Sequence, residues 1–451
     1  MTPRINTGHG LPAEALAKAG ATRFNTVGFV LLSGILLLSG APIAQAPAQH
    51  WPQWRGPLST GVSPTAKPPV EWSETKNVRW KVEIPGRGSA SPIVWQDRVY
   101  VLTAAAADAP APGTVSRGKN RYLVMALDRK TGKTVWEQTA REEEPHEGTH
   151  NQFGTYASSS AVTDGQVLIA SFESRGIYAY DLNGKKLWEV DLGDKRMRNE
   201  FGEGSSPALY KDRLVIVWDH QGESFIAALD KSTGKEIWRK SREEIDSWAT
   251  PLVVEVGGKA QVVTGAQRRI RSYDLATGEL VWETAGLTAN PIPSPVSADG
   301  LVILMSGYRG NSLKAVKLAE AKGDITGTPA IAWTFERDTP YVPSPLLYDN
   351  ILYFLKGNTG VLSAFDAKSG TPHFQLQRIE GVPNVFSSPV GADGRVYVLG
   401  QDGSTAVLKH GPAYEVLATN KLDDKFDASP ALAGADIFLR GYRYLYCLGT
   451  Q

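Results

Sequence analysis

Short runs in which apolar and polar residues alternate at every second position recur along this chain, among them Arg98–Leu102 (RVYVL), Leu352–Leu355 (LYFL) and Arg395–Leu399 (RVYVL). Period-two alternation sends successive side chains to opposite faces, which is the pattern of a β-strand with at least one buried face. A turn pair such as Asp393 with Gly394 stands before the runs, so each reads as one arm of a hairpin. The class expected from this patterning is all-β.

The strands fall into larger units. A segment of the form A-L-D-x-x-T-G-K-x-x-W occurs as Met125–Trp136 (MALDRKTGKTVW) and Ala227–Trp238 (AALDKSTGKEIW), with variants AYDLNGKKLW, SYDLATGELVW and AFDAKSGTPHF. Each copy follows a Ser-Pro or Ser-Ser step that opens a strand, a turn and another strand. Aligning the residue at that step gives Ser91, Ser159, Ser206, Thr250, Ser294, Ser344, Ser388 and Ser429, with intervals of 68, 47, 44, 44, 50, 44 and 41. Eight units at this spacing predict an eight-bladed β-propeller of four-stranded blades. The Asp of each segment is expected to accept hydrogen bonds from the amides of its own turn, and the recurrent Trp136, Trp188, Trp238 and Trp282 to pack between blades.

The last unit stops before its turn-and-tryptophan element, whereas an orphan strand, Asn77–Ile84 (NVRWKVEI), precedes the first. Pairing the two closes the ring and leaves no sheet edge open, so the N-terminal strand is expected to be the outer strand of the last blade.

Composition narrows the function classes. Lys and Arg number 48 against 47 Asp and Glu, so no net field favours nucleic acid or an anionic membrane. The single cysteine, Cys447, permits no intrachain disulfide and no cysteine metal cluster, and its strand YLYCL makes it a small core residue. Residues 24–49 carry no charge and contain the apolar run Val27–Leu38 behind Arg4, Lys18 and Arg23. That is a secretion signal with an A-x-A site at Ala46 and Ala48, or an N-terminal anchor if it is retained. No cysteine near the site allows a lipoprotein anchor. The expected organisation is residues 1–48 as signal, 49–76 as an extended segment and 77–451 as propeller, exported to the periplasm or medium as a monomer.

The repeats resemble the PQQ-like propeller repeat family from Asn77 to Leu448, and the opening Trp51–Pro57 (WPQWRGP) is similar to that of exported bacterial members without a settled activity. The resemblance implies the fold, and it spans quinone-dependent alcohol dehydrogenases as well as an outer-membrane assembly scaffold. The dehydrogenases carry an adjacent cysteine pair that this sequence lacks, and their calcium-binding Glu and Asn and base Asp have no local motif here. No C-x-x-C-H haem site, G-x-S-x-G elbow, H-E-x-x-H helix or P-loop occurs.

The T-G-K turns and the short hairpins share one face of a propeller. The longer connections emerge on the other face, where function on a repeat scaffold resides. Those loops supply His150, Tyr156, Arg175, Asp219, His220, Trp248, Arg268, Tyr308, Arg309, Lys356, Gln401 and Arg440 as candidate ligand-binding residues. Their cations suit an anionic small molecule, a glycan or an acidic protein loop. Tyr156, Trp248, Tyr341 and Phe386 begin inner strands and are placed to line a channel mouth. Residues 141–156 hold His146 and His150 with acids between them, resembling half a metal site, yet Pro145, Gly148 and Gly154 argue for a loop that caps the channel. The reading is therefore a binding or scaffolding propeller with no catalytic or metal residues assigned and no resident cofactor expected. An oxidoreductase using PQQ with calcium would need an axial pocket with converging carboxylates and an Asn, and a carbohydrate-active propeller would need aromatic platforms beside an acid pair.

Overall fold

The computed structural model describes residues 49–450, and the expected secretion signal lies outside them. Eight antiparallel sheets follow one another around a ring, seven of four strands and one of five. Blade one spans Ile93–Glu143, and the others follow in chain order. Blade eight combines Ala431–Ala433, Asp436–Arg440 and Tyr444–Leu448 with the N-terminal strand Val78–Glu83, so both chain ends lie in one blade. Trp80 faces Cys447 and Val82 faces Leu445 in that closing pair, as the ring-closure argument requires. Two short 3-10 turns, Glu173–Arg175 and Arg198–Glu200, make up the helical content of the described residues. No helix among them is long and apolar enough to cross a membrane.

The core lies between blades rather than in one centre. Tyr100, Tyr122 and Val124 of blade one, for example, pack on Leu168, Ala170 and Tyr178 of blade two. The repeated sequence segment makes the same joint at five of the eight steps. Asp128 Oδ1 accepts the Thr131 N–H at 2.8 Å, and Asp230, Asp274 and Asp366 hold their own turns in the same way. The turn so formed receives the tryptophan of the preceding blade. Trp136, Trp188, Trp238 and Trp333 donate their indole N–H to Leu182, Lys231, Leu275 and Ala367 carbonyls at 2.9–3.0 Å. Trp80 does the same to Arg129 of blade one, so the borrowed N-terminal strand carries the joint across the closure.

Trp282 departs from the pattern. It is fully buried, but its indole nitrogen has no partner. Blade five has no T-G-K turn to receive it. An insertion covers it instead, with Gly323–Asp324 pairing parallel to the outer strand of blade four. The same insertion accounts for the 50-residue interval between Ser294 and Ser344.

Residues 49–76 cross the axis below the inner strands. Trp51 exchanges both backbone hydrogen bonds with Val94 at 2.8 Å, Thr163 N–H reaches Pro52 O at 2.9 Å, Leu347 N–H reaches Thr60 O at 3.1 Å, and Gly391 N–H reaches Gly61 O at 2.9 Å. The segment thus takes up inner-edge amides of blades one, two, six and seven, which closes the turn-side end of the channel. Arg55 fastens it with bonds to the carbonyls of Pro345 at 2.7 Å and Pro389 at 3.1 Å, and burial pushes its guanidinium down to about 9.

Candidate functional site

Inner strands enter from the loop face at a Ser-Pro or Thr-Pro step. Proline has no N–H to give to a ladder, and it is tolerated here because the inner strand is the channel edge of its sheet. The hydroxyl residue before it does the joining. Ser91 N–H donates to Ser160 Oγ at 2.9 Å and Ser160 N–H to Ser206 Oγ at 2.9 Å. The pattern runs through Thr250, Ser294, Ser344 and Ser388 to Ser429, whose N–H returns to Ser91 Oγ at 2.9 Å. This closed belt corrects the expected register in blade two, where the belt residue is Ser160 and not Ser159. No proline marks the step there, and the Ser159 hydroxyl bonds to Glu173 instead.

Above the belt lies an axial cavity of about 290 Å³. Trp54 of the N-terminal segment and the belt serines line its base. Phe153, Phe201, Trp248, Tyr341 and Phe386 supply aromatic walls, and Glu203, Asp427, Asn290 and Asn358 supply polar groups. The 145–156 connection arches over this space. Phe153 meets Phe386 of blade seven with centroids 4.5 Å apart, and His150 stacks on Phe153 at 5.0 Å, so the expected cap over the channel is present.

The two cavity acids differ. Asp427 is saturated, accepting from Gln401 Nε2 at 2.7 Å, Arg87 at 3.1 Å and the Tyr442 hydroxyl at 2.8 Å. Glu203 accepts from Ser174 alone, through its N–H at 3.0 Å and its hydroxyl. Burial, reinforced by the neighbouring Glu173 carboxylate, raises its pKa to about 7. Glu173 itself is tied to the buried Lys195.

Beside the cavity, a pocket of about 30 Å³ is lined by Tyr122, His146, Glu147, Tyr156, Glu173, Arg175 and Glu203, among others. Such a volume holds roughly one water. His146, Glu147 and Glu203 bring ligand atoms within 4.8 Å of one another. Both His146 nitrogens are engaged, however, Nε2 with Lys195 O at 2.6 Å and Nδ1 with Arg175 at 3.1 Å. The pairing of His146 with His150 suggested by their spacing does not form, because the segment is a loop that sends them to different pockets.

A family model described as outer membrane protein assembly factor BamB matches residues 69–226 and 222–449. The chain belongs to this family. Over 377 residues it is 25% identical to outer membrane protein assembly factor BamB of Burkholderia pseudomallei, covering 79% of this chain and 72% of that protein. It is also 22% identical over 281 residues to a tetrathionate hydrolase of Acidithiobacillus ferrooxidans, covering 58% of this chain and 53% of the hydrolase. The crystal structure of BamB from Moraxella catarrhalis superposes with a TM-score of 0.57 at 14% identity over 82% of this chain and 98% of that one, which shows a shared fold.

Within this BamB-type propeller the sequence-named residues separate into groups. His150 and Trp248 line the axial cavity, with Trp248 fixed through its indole bond to Gly202 O at 2.7 Å. Gln401 stands behind Asp427, and Tyr308 stacks on the wall residue Tyr341 at 4.8 Å. Tyr156 lines the small charged pocket rather than the axial one, and its hydroxyl reaches Glu147 O at 3.3 Å. Arg175 is clamped between Glu143, Asp194 and His146. Lys356 pairs with Asp338 at 2.8 Å on the exposed face, while Arg268 and Arg309 are exposed on loops outside the cavity lining.

Asp219, His220 and Arg440 require correction as displayed donors. Asp219 is completely buried and grips Arg242 through both oxygens, at 2.7 and 2.9 Å. His220 is buried, and its Nδ1 accepts the Arg196 N–H at 3.1 Å. Arg440 lies inside blade eight, bonded to the carbonyls of Gly441 and Tyr442. The strand-end positions chosen from sequence point inward, away from solvent. Phe153, Phe201, Glu203 and Asp427 went unnamed because they lie in non-repeating connections, and Trp54 because it comes from outside the repeats.

Proposed function

We propose that this chain is an exported binding and scaffolding propeller that presents its loop face and axial funnel to a protein partner in the bacterial envelope. The carrying observation is the closed, strapped ring whose long connections all surround one axial opening, a rigid frame holding a variable face. The relatives named for outer-membrane protein assembly support the same reading.

The alternatives fare less well on residues. Carboxylates and asparagines do line the axial cavity, but Asp427 is fully bonded, and no Lys or Arg is among the described lining residues to meet the three carboxylates of PQQ. The cavity therefore does not fit that group. A carbohydrate-active site needs an acid pair open to the sugar, whereas Asp427 is fully bonded, Glu173 is tied to Lys195, and Glu147 lines the small neighbouring pocket rather than the axial cavity.

The test is site-specific photo-crosslinking in the periplasm. A photoreactive residue at Arg309 or Lys356 should capture an outer-membrane or periplasmic assembly protein, whereas one at Lys235 on the turn face should not. Equal capture from both faces, or none from the loop face, would refute the reading.

A further inference from the structure

The loop face was expected to attract anions, but the cavity at its centre has the opposite character. We propose that the axial cavity is a binding site for a small organic cation, a molecule with an ammonium group on an apolar body. This inference stands apart from the protein partner proposed above.

Three observations carry it. First, the walls are aromatic: Trp54 lies below, already carrying Arg55 over its ring at 5.5 Å, with Trp248, Tyr341, Phe153 and Phe386 around. A cation enclosed by such faces is held by the ring quadrupoles, an attraction that strengthens when water is excluded. Second, no Lys or Arg is among the described lining residues. Cations stand behind the lining, with Arg55 over the Trp54 ring at 5.5 Å, Arg87 bound to Asp427 and Arg198 reaching Asn290 Oδ1 at 3.4 Å. Third, Glu203 is the cavity acid without a cationic partner of its own. Its neighbour Glu173 holds Lys195, and His146 Nε2 lies 3.9 Å away while bonded to Lys195 O. An anion entering here would meet carboxylates and ring faces, both repulsive to it. A neutral apolar ligand would leave Glu203 uncompensated.

Protonation supports the assignment. Glu203, held up to about 7, faces Glu173, Lys195, His146 and Glu147, and a cation beside it favours the ionised form. Binding should therefore release a proton near neutrality and strengthen as the pH rises through 7.

The experiment is calorimetric titration of the purified propeller with choline and with its uncharged isostere 3,3-dimethylbutan-1-ol, together with benzyltrimethylammonium and benzoate. The two ammonium ions should bind, benzyltrimethylammonium more tightly because it fills more of the cavity. The neutral isostere should bind about tenfold more weakly than choline, and benzoate should give no heat. Choline affinity should fall about tenfold from pH 8 to pH 6, the change in the ionised fraction of an acid titrating near 7. Glu203→Gln should abolish that pH dependence and weaken cation binding. Phe386→Leu, which leaves the acid in place, should weaken both cations at every pH, so a poorly folding Glu203 variant would not end the test. Binding of the isostere or benzoate as tightly as choline would overturn the charge assignment, as would unchanged choline binding in a folded Glu203→Gln protein. No binding of either ammonium ion at about 20 mM would overturn the site itself while leaving the crosslinking result to decide the scaffold.

Discussion

The joint between Trp238 and the turn at Gly278 allows the repeat to be tested as an energetic unit. Trp238 is almost fully buried, donates to Leu275 O at 2.9 Å and lies over Gly278, whose φ is +74°. A Cβ built on Gly278 would stand 2.7 Å from the indole ring. Trp238→Ala should cost about 3–5 kcal/mol, the range for removing a buried aromatic side chain. Gly278→Ala carries two penalties. The left-handed backbone costs a side chain about 1–2 kcal/mol, and the overlap with the indole adds about 1–3 kcal/mol of overpacking. Only the second penalty disappears when Trp238 is already alanine.

The double mutant should accordingly be more stable than the sum of the singles by about 1–3 kcal/mol, well above the ~0.3–0.5 kcal/mol scatter of independent sites. Urea unfolding of the four proteins, followed by tryptophan fluorescence and by far-UV circular dichroism, measures that coupling. The two probes must give coincident transitions for the cycle to be read as free energies. Strict additivity would refute the claim that the turn glycine exists to receive the tryptophan.

Other expectations follow from the same structure. Asp219→Ala should cost about 3–5 kcal/mol, because it strands the fully buried Arg242 without its partner, and a near-normal melting temperature would contradict the burial argument. Arg309→Ala should stay within about 0.5 kcal/mol of the parent in urea unfolding, since Arg309 is exposed and its cation stands over Tyr308 at 5.5 Å on the surface. For Glu203 the sign follows from its raised pKa. The folded state holds the proton more tightly than the unfolded chain, so this group's contribution to stability is full below pH ~4.5 and is lost as the pH rises toward 7. The stability difference between the parent and Glu203→Gln should shift in favour of the glutamine protein across that window, and a pH-independent difference would show that Glu203 titrates normally.

The repeat was legible because one geometry must be built again and again. Asp at the start of the turn, Gly at its left-handed position and Trp on the following strand recur since blades one, two, three, four and six offer the same turn to the preceding blade. Ring closure was legible for a related reason, since an incomplete final unit and an unassigned first strand leave unpaired edges that only each other can satisfy. Blade two escaped because Ala161 replaces the marker proline, and two adjacent serines then compete for one register. Trp333 escaped because the blade-five insertion disrupts the segment around it, although it makes the same indole bond to Ala367 as its equivalents.

The site obeyed a different logic, and its charge shows why. Reading cations off the loops counted Arg175 and Lys356 but not the acids that meet them, Glu143 and Asp194 for the first and Asp338 for the second. Those partners lie 18 to 32 residues away in sequence, on neighbouring connections, so only the ring brings them together. A nearly balanced total of 48 basic and 47 acidic residues already implies that a cation-rich loop set must find its counter-charges nearby. Once the loop cations are spent on one another's acids, the field at the axis is set by whatever remains unpaired. Glu203 is such a residue among those that line the axial cavity, and aromatic residues surround it. The face that looked built for an anion therefore encloses, at its centre, a cavity whose electrostatics favour a cation.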